Sequence, residues 1–340
     1  MQSSSAAIAD CLAAIVSSNL HKLGASLLHM VRLLLPSIAM ALAAPRKHTL
    51  KKLVAFDLDG TLLNPEHRLT QPTLDKLREL DGLGVSIVFA TGRSAPAVYE
   101  HVAALGIQTT LPCVLYNGAV CYAFPQPCAD AAEASARKEE LFSLGIDLAD
   151  AAAVCAFAAE RDLLVQYYVG DHIYVRPTCD EHRDLVRRYH ELTGASHTTV
   201  DEYPLTESPA KMLLMTDDPD GVLSTVREAQ ASGALPSGLA SIRGSPPFFV
   251  EMLGQGVYKG SGLAKLCERR GVAMADVVAF GDGENDVEFV RDAGLGVAMK
   301  NGRDAVKQVA KRVTARTNAE DGVARELAAL QKEGILPQKN

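Results

Sequence analysis

The sequence predicts an α/β fold: a doubly wound parallel sheet with helices on both faces, interrupted by an inserted α+β block. Two observations carry this. Strand and helix patterns alternate from Lys51 to residue 125 and again after residue 250, which implies parallel strands joined by crossover helices. Short apolar runs also end abruptly in acidic, glycine-containing turns, first at Asp57-Leu58-Asp59-Gly60 and later at Gly281-Asp282-Gly283. Open α/β sheets build their sites at such strand ends.

Taken in order, Leu53–Asp57 reads as a strand and Thr70–Leu83 as a helix with Leu74, Leu77 and Leu80 on one face. Val85–Ala90 is a second strand, ending at Thr91-Gly92-Arg93-Ser94, and Ala95–Leu105 is the next helix. Cys113–Tyr116 is a third strand, and Asn117-Gly118 after it is a hairpin turn signal. Pro125–Pro127 marks a break. The block that follows mixes helices (148–159, 181–192, 221–231) with strands (163–169, 173–176, 210–215), and residues 240–253 read as strands broken by Gly244-Ser245-Pro246-Pro247. The parallel pattern returns with a helix opening at Lys259-Gly260 and strands Val277–Phe280 and Leu295–Met299. The expected division is therefore a leader over 1–50, a core over 51–125 and 251–335, and an inserted block over 126–250.

The chain has 340 residues, enough for two domains, with 48% hydrophobic and 22% charged content. A net charge of −7 lacks the basic surplus of a nucleic-acid binder. Seven scattered cysteines form no Cys-x-x-Cys pair and read as reduced thiols. The first 52 residues hold one acid, Asp10, against Lys22, Arg32, Arg46, Lys47, Lys51 and Lys52. Their apolar run, Leu33–Ala44, is short for a membrane span and contains Pro36. No stable membrane insertion is expected. This leader fits an organellar transit peptide, which would send the chain to a mitochondrion or plastid. A non-functional extension and a secretory segment are the alternatives, and without a transit peptide the expected address is cytoplasmic. Oligomeric state is not legible.

Four pieces carry chemistry. Asp57 and Asp59 stand two apart at a strand end and repel unless a cation lies between them. Mg2+ suits one or two carboxylates with phosphate oxygens and water. Asp57 could then attack phosphorus, with Asp59 as general acid and base. Thr91-Gly92 offers a hydroxyl and N–H groups at a helix start, a phosphate cradle. Lys259 opens a helix and can neutralise charge developing on phosphoryl oxygens. Gly281-Asp282-Gly283-Glu284-Asn285-Asp286 brings three acids within five residues. Asp282 is the best direct metal ligand there, Asp286 is placed to hold metal-bound water, and Asn285 can donate to phosphate.

These four pieces, in this order, resemble the haloacid dehalogenase superfamily of phosphatases, and within it the Cof-type subfamily of sugar and small-metabolite phosphatases. Gly294–Asn301 and Asn318–Ala324 add to the likeness. The resemblance implies a Rossmann-like core with an inserted α/β cap domain. It makes Asp57 the nucleophile and Asp59 the acid/base. The Leu58 backbone N–H, Thr91, Gly92, Lys259 and Asn285 become phosphate contacts, and Asp57, the Asp59 carbonyl and Asp282 the Mg2+ ligands. Lys300 departs from the pattern, standing where a small residue is usual. Dehalogenases of the superfamily lack the second aspartate, and ion-pumping ATPases carry Lys-Thr where this chain has Leu58-Asp59. The implied activity is hydrolysis of a small phosphorylated metabolite. A phosphomutase and a catalytically silent binding protein on the same fold are the rivals. In the inserted block Tyr167, Tyr168, His172, Tyr174 and Arg176 invite a substrate-binding reading, but packing for the aromatics and a solvated strand edge for Arg176 are favoured.

Overall fold

The computed structural model describes residues 52–244 and 248–339. The leader, and the Ser245-Pro246-Pro247 part of the expected strand break, lie outside the described residues.

The chain begins the first sheet with β1 (Leu53–Phe56), α1 (Gln71–Gly82), β2 (Ser86–Ala90), α2 (Tyr99–Leu105) and β3 (Leu111–Leu115). The antiparallel strand β4 (Val120–Phe124) turns back through Tyr116–Gly118, and α3 (Ala131–Arg137) and β5 (Glu139–Ser143) follow. A second sheet is then built from α4 (Leu148–Ala159), β6 (Leu164–Val169), β7 (His172–Val175), α5 (Asp180–Thr193), β8 (Thr198–Thr199), β9 (Lys211–Met215), α6 (Pro219–Ser232), β10 (Ala240–Arg243) and β11 (Phe249–Leu253). The chain returns with α7 (Lys259–Arg270), β12 (Val277–Gly281), α8 (Val287–Asp292), β13 (Leu295–Ala298), α9 (Asp304–Val309), β14 (Arg312–Val313) and α10 (Gly322–Lys332).

The first sheet runs β14-β13-β12-β1-β2-β3-β4-β5. Its first six strands are parallel, and β4 pairs antiparallel with both β3 and β5. This is the expected doubly wound architecture, and the strand order reverses between β1 and β12. That switch point is where such sheets open a crevice. Alternation along β1 divides the core in two. Val54 and Phe56 face a layer containing Leu77, Leu80, Val102, Leu327 and Leu330, from α1, α2 and α10. Leu53 and Ala55 face Leu263, Leu266, Phe289 and Val306, from α7, α8 and α9. Phe56 stacks on Phe280 across the switch point at 5.2 Å between ring centres, a contact worth about 1 kcal/mol beyond burial.

The second sheet runs β10-β11-β9-β6-β7-β8, antiparallel except for β7 with β8. One face packs Val165, Tyr167, Met212 and Met252 on Ala151, Val154, Phe157 and Val226 of α4 and α6. Tyr167 and Tyr168 are buried packing residues, and Arg176 is exposed.

Three local expectations shift. Sheet membership does not follow the limits 126 and 250, because β5 joins the first sheet and β11 the second. The expected helix over 95–105 begins with a single 3₁₀ turn at Pro96–Val98. Thr91 and Gly92 consequently sit in a loop ahead of the helix rather than at its start, since a proline ring fixes where the turn begins.

Candidate active site

Asp57 follows β1 and Asp282 follows β12, adjacent strands whose ends are joined by the Asp57 N–H donating to the Phe280 carbonyl at 2.9 Å. The chain then turns sharply over Leu58–Leu62. The Leu58 side chain is fully buried and Gly60 takes φ +76°. A Cβ at Gly60 would lie 2.4 Å from the Asp282 carboxylate, so this turn needs glycine for both its backbone angle and its clearance. Thr61 Oγ1 donates to Asp282 Oδ1 at 2.7 Å, and Asn301 Nδ2 donates to the Gly60 carbonyl at 2.7 Å.

Lys259 is the first residue of α7, whose start is fixed by the Tyr258 N–H donating to Ser261 Oγ at 3.0 Å. The lysine is 1% exposed. Its Nζ donates to Asp57 Oδ1 and to Asp286 Oδ1, both at 2.6 Å. The other Asp286 oxygen accepts from the N–H groups of Asp282 and Gly283, each at 2.9 Å. Asp286 therefore orients both the lysine and the loop that carries Asp282.

Carboxylate oxygens of Asp57, Asp282 and Asp286 all lie within 4.8 Å of one another. Three carboxylates cluster around one ammonium, which contacts two of them. Burial pushes the Asp57 carboxyl well above its ordinary range; the Lys259 ammonium opposes this, and the charges of Asp286 and Asp282 add to it. Asp282 is pushed up to about 6, by burial first and by Asp286, with the Thr61 hydroxyl opposing. Burial would lower the Lys259 ammonium, but Asp286 and Asp57 outweigh it and its pKa is raised. With two carboxylates in contact the lysine stays charged, and the shortage of positive charge falls on the acids. Hard oxygen donors with excess negative charge fit a divalent cation such as Mg2+.

Asp59 points elsewhere. Its carboxylate accepts from Arg93 Nε at 2.7 Å and Nη2 at 2.5 Å, and lies 3.0 Å from His67 Nδ1. Burial would raise its pKa, but the Arg93 hydrogen bonds and charge, with His67, hold it below the usual carboxylate range. Thr91 is buried and its Oγ1 accepts from the Arg93 N–H at 3.2 Å. Asn285 is exposed, and its Nδ2 donates to Asn117 Oδ1 at 3.0 Å. The structure thus gathers Asp57, Asp282, Asp286 and Lys259 into one contact set, and sets Asp59, Thr91–Gly92 and Asn285 in the loops around it. Thr61, Arg93, His67 and Asn117 have no expected role in the sequence reading. Arg93 and Asn117 stand there only as parts of turns.

Among the described residues a second group, Asp162, Cys179 and His182, is close enough to suggest a metal. Both His182 ring nitrogens are engaged, Nδ1 with Thr178 and Nε2 with the Asp162 carbonyl at 2.9 Å, so that histidine is a packing residue.

The profile of the haloacid dehalogenase-like hydrolases matches residues 54–327. The chain belongs to that family. As a haloacid dehalogenase-like hydrolase it is 31% identical over 278 residues to the 5-amino-6-(5-phospho-D-ribitylamino)uracil phosphatase YitU of Bacillus subtilis, covering 80% of this chain and 95% of that one. It is 27% identical to the chloroplastic endoribonuclease YBEY of Arabidopsis thaliana over 79% of this chain and 44% of that one. Among solved structures, the phosphatase BT1666 of Bacteroides thetaiotaomicron is similar, with a TM-score of 0.68, 25% identity and coverage of 86% and 98%. The resemblance drawn from the four sequence pieces is borne out at the level of the family and its fold. This hydrolase is an enzyme of a phosphatase-rich lineage, and among its described residues no helix is long and apolar enough to cross a membrane.

Proposed function

We propose that this chain is a Mg2+-dependent phosphomonoester hydrolase that acts on a small phosphorylated metabolite through an aspartyl-phosphate on Asp57. The convergence of Asp57, Asp282, Asp286 and Lys259 at the switch point of the sheet carries this reading. Asp57, the Asp59 carbonyl and Asp282 would hold the metal, which when bound supplies positive charge to the phosphoryl oxygens.

Lys259 neutralises the nucleophile before attack and the same oxygens as charge builds. Thr91, Gly92, the Leu58 N–H and Asn285 orient the phosphate. Asp57 attacks phosphorus and the alkoxide leaves with a proton from Asp59. Asp59 then takes a proton from the water that cleaves the acyl phosphate. In the arrangement seen, Asp59 is paired with Arg93 and held ionised, which suits the second step. Proton donation in the first step requires the Arg93 contact to loosen as the ester arrives.

The inserted block, from about 126 to 250, serves as a cap that excludes water and selects the leaving group. The named activity of YitU supports a small, polyhydroxylated phosphate ester as substrate. The basic leader would direct the chain to a mitochondrion or plastid, a reading supported by the chloroplastic relative. Mass spectrometry of the mature N-terminus tests that address.

The decisive experiment is Asp57→Asn, assayed with p-nitrophenyl phosphate and Mg2+ for release of free phosphate. The variant is expected to be inactive while wild type turns over. Retained hydrolysis would remove the mechanism.

A further inference from the structure

The core-facing side of the second sheet is apolar except at a few places. Lys211 on β9 and Glu251 on β11 are diagonal neighbours on that face. Each is 6% exposed, and they form an ion pair at 3.1 Å. A buried ion pair inside a largely apolar face contributes little to stability compared with hydrophobic residues of the same size. Its outward contacts give it another use. Lys211 Nζ donates to the Gly92 carbonyl at 3.3 Å, and Glu251 Oε2 accepts from Asn117 Nδ2 at 3.1 Å. Both contacts cross from the second sheet to loops at the strand ends of the first.

Asn117 is the junction. It is 6% exposed and left-handed at φ +52°. Its N–H donates to the Thr91 carbonyl at 3.1 Å, and its Oδ1 accepts from Asn285 Nδ2 at 3.0 Å. A Cβ at Gly92 would lie 2.9 Å from that same Oδ1. One amide therefore touches both loops assigned above to phosphate, and its other end is held by a carboxylate from the second sheet. Rotating it would break contacts at both ends together.

We propose that Asn117 and Glu251 are positioning residues for the phosphate: Lys211 and Glu251 of the second sheet fix the Asn117 amide, which presents Asn285 and shapes the Thr91–Gly92 loop. This rests on the phosphatase reading for the roles of Asn285, Thr91 and Gly92. It makes phosphate affinity depend on side chains that never touch the phosphate. Seating of the inserted block and grip on the phosphoryl group become one event.

The test is calorimetric titration of inorganic phosphate into the Mg2+-loaded full chain, with hydrolysis of p-nitrophenyl phosphate measured alongside. Asn117→Gly severs the link and keeps the left-handed backbone. Glu251→Gln removes the charge that holds Asn117. The double variant Lys211→Met with Glu251→Leu removes the pair without leaving a lone buried charge. Losing one such hydrogen bond should weaken phosphate binding about tenfold in each variant. KM should rise in step while kcat changes less, a split that general loosening of the fold would not produce. Phosphate affinity equal to wild type in Asn117→Gly would overturn the proposal. So would weakening in Asn117→Gly with none in the Glu251 variants, because the second sheet would then have no part. A wild type that binds no phosphate overturns it as well. If wild type hydrolyses no ester yet the variants lose phosphate affinity, the phosphatase reading fails and the positioning role stands.

Discussion

Replacing Lys259 with methionine keeps the length of the side chain and deletes its charge. The ammonium contacts Asp57 and Asp286 at 2.6 Å each and is buried. Removing one partner of a buried ion pair costs about 3–5 kcal/mol. The acids can discharge part of that cost by taking up protons, so the loss should approach about 3 kcal/mol at pH 8 and shrink toward pH 5. The sign follows from linkage. Without the lysine the folded carboxyls bind protons at higher pH than the unfolded ones do, so the variant gains stability as pH falls. Activity should drop about 10²–10³-fold, the usual cost of losing one preorganised electrostatic group. Mg2+ should bind the variant at least as tightly as wild type, because the cluster becomes more negative. Denaturant melts at pH 8 and pH 5, calorimetric Mg2+ binding and steady-state kinetics read the three quantities. A variant with wild-type kcat/KM, or with stability lost equally at both pH values, would refute the assignment of Lys259 as the charge partner of Asp57.

Two further substitutions probe the site and the inserted block. Gly60→Ala places a methyl against Asp282 on a left-handed backbone, and should cost about 1–3 kcal/mol together with a measurable loss of Mg2+ affinity; unchanged affinity would detach Asp282 from the metal. His197 is held neutral, pushed down to about 4 by burial and by His190. Between pH 6.5 and about 4 the unfolded chain binds this proton and the folded chain does not, so stability falls with pH through that window. His197→Phe should flatten part of that acid slope in urea melts and leave stability at pH 8 little changed. A slope identical to wild type would show that His197 titrates freely in the fold.

The core of the fold was legible because its strands are short apolar runs with polar ends, a pattern that survives without tertiary context. Leu53–Phe56 and Val277–Gly281 are buried throughout. The segment α3–β5 was not legible. Asp130 caps α3 by accepting from the Glu133 N–H at 2.8 Å, an ordinary local signal, but the helix is short and follows a proline break. β5 reads Glu-Glu-Leu-Phe-Ser, mostly exposed, and is a strand only because β4 offers it an edge. At the site, Asp57, Lys259 and Asp282 announce themselves as charges beside apolar strands or at a helix start. The Asp59–Arg93 pair does not, since which partner a carboxylate takes depends on how two loops fold toward each other. Lys211 and Glu251 left a trace. Each is a charge inside a strand otherwise made of Met, Leu, Phe and Val, and residues of that kind are seldom buried without a partner.

The bond between Asp57 and Lys259 joins positions 202 apart along the chain. At a synthesis rate of about 5–20 residues per second, the ribosome needs roughly 10–40 s to deliver the lysine after the aspartate has emerged. Throughout that interval the nascent chain holds an aspartate with no ammonium to receive it, and the central strand lacks its neighbour β12. The Asp57–Lys259 contact therefore cannot form until the whole inserted block has been synthesised, and a prematurely terminated product ending in that block would lack it.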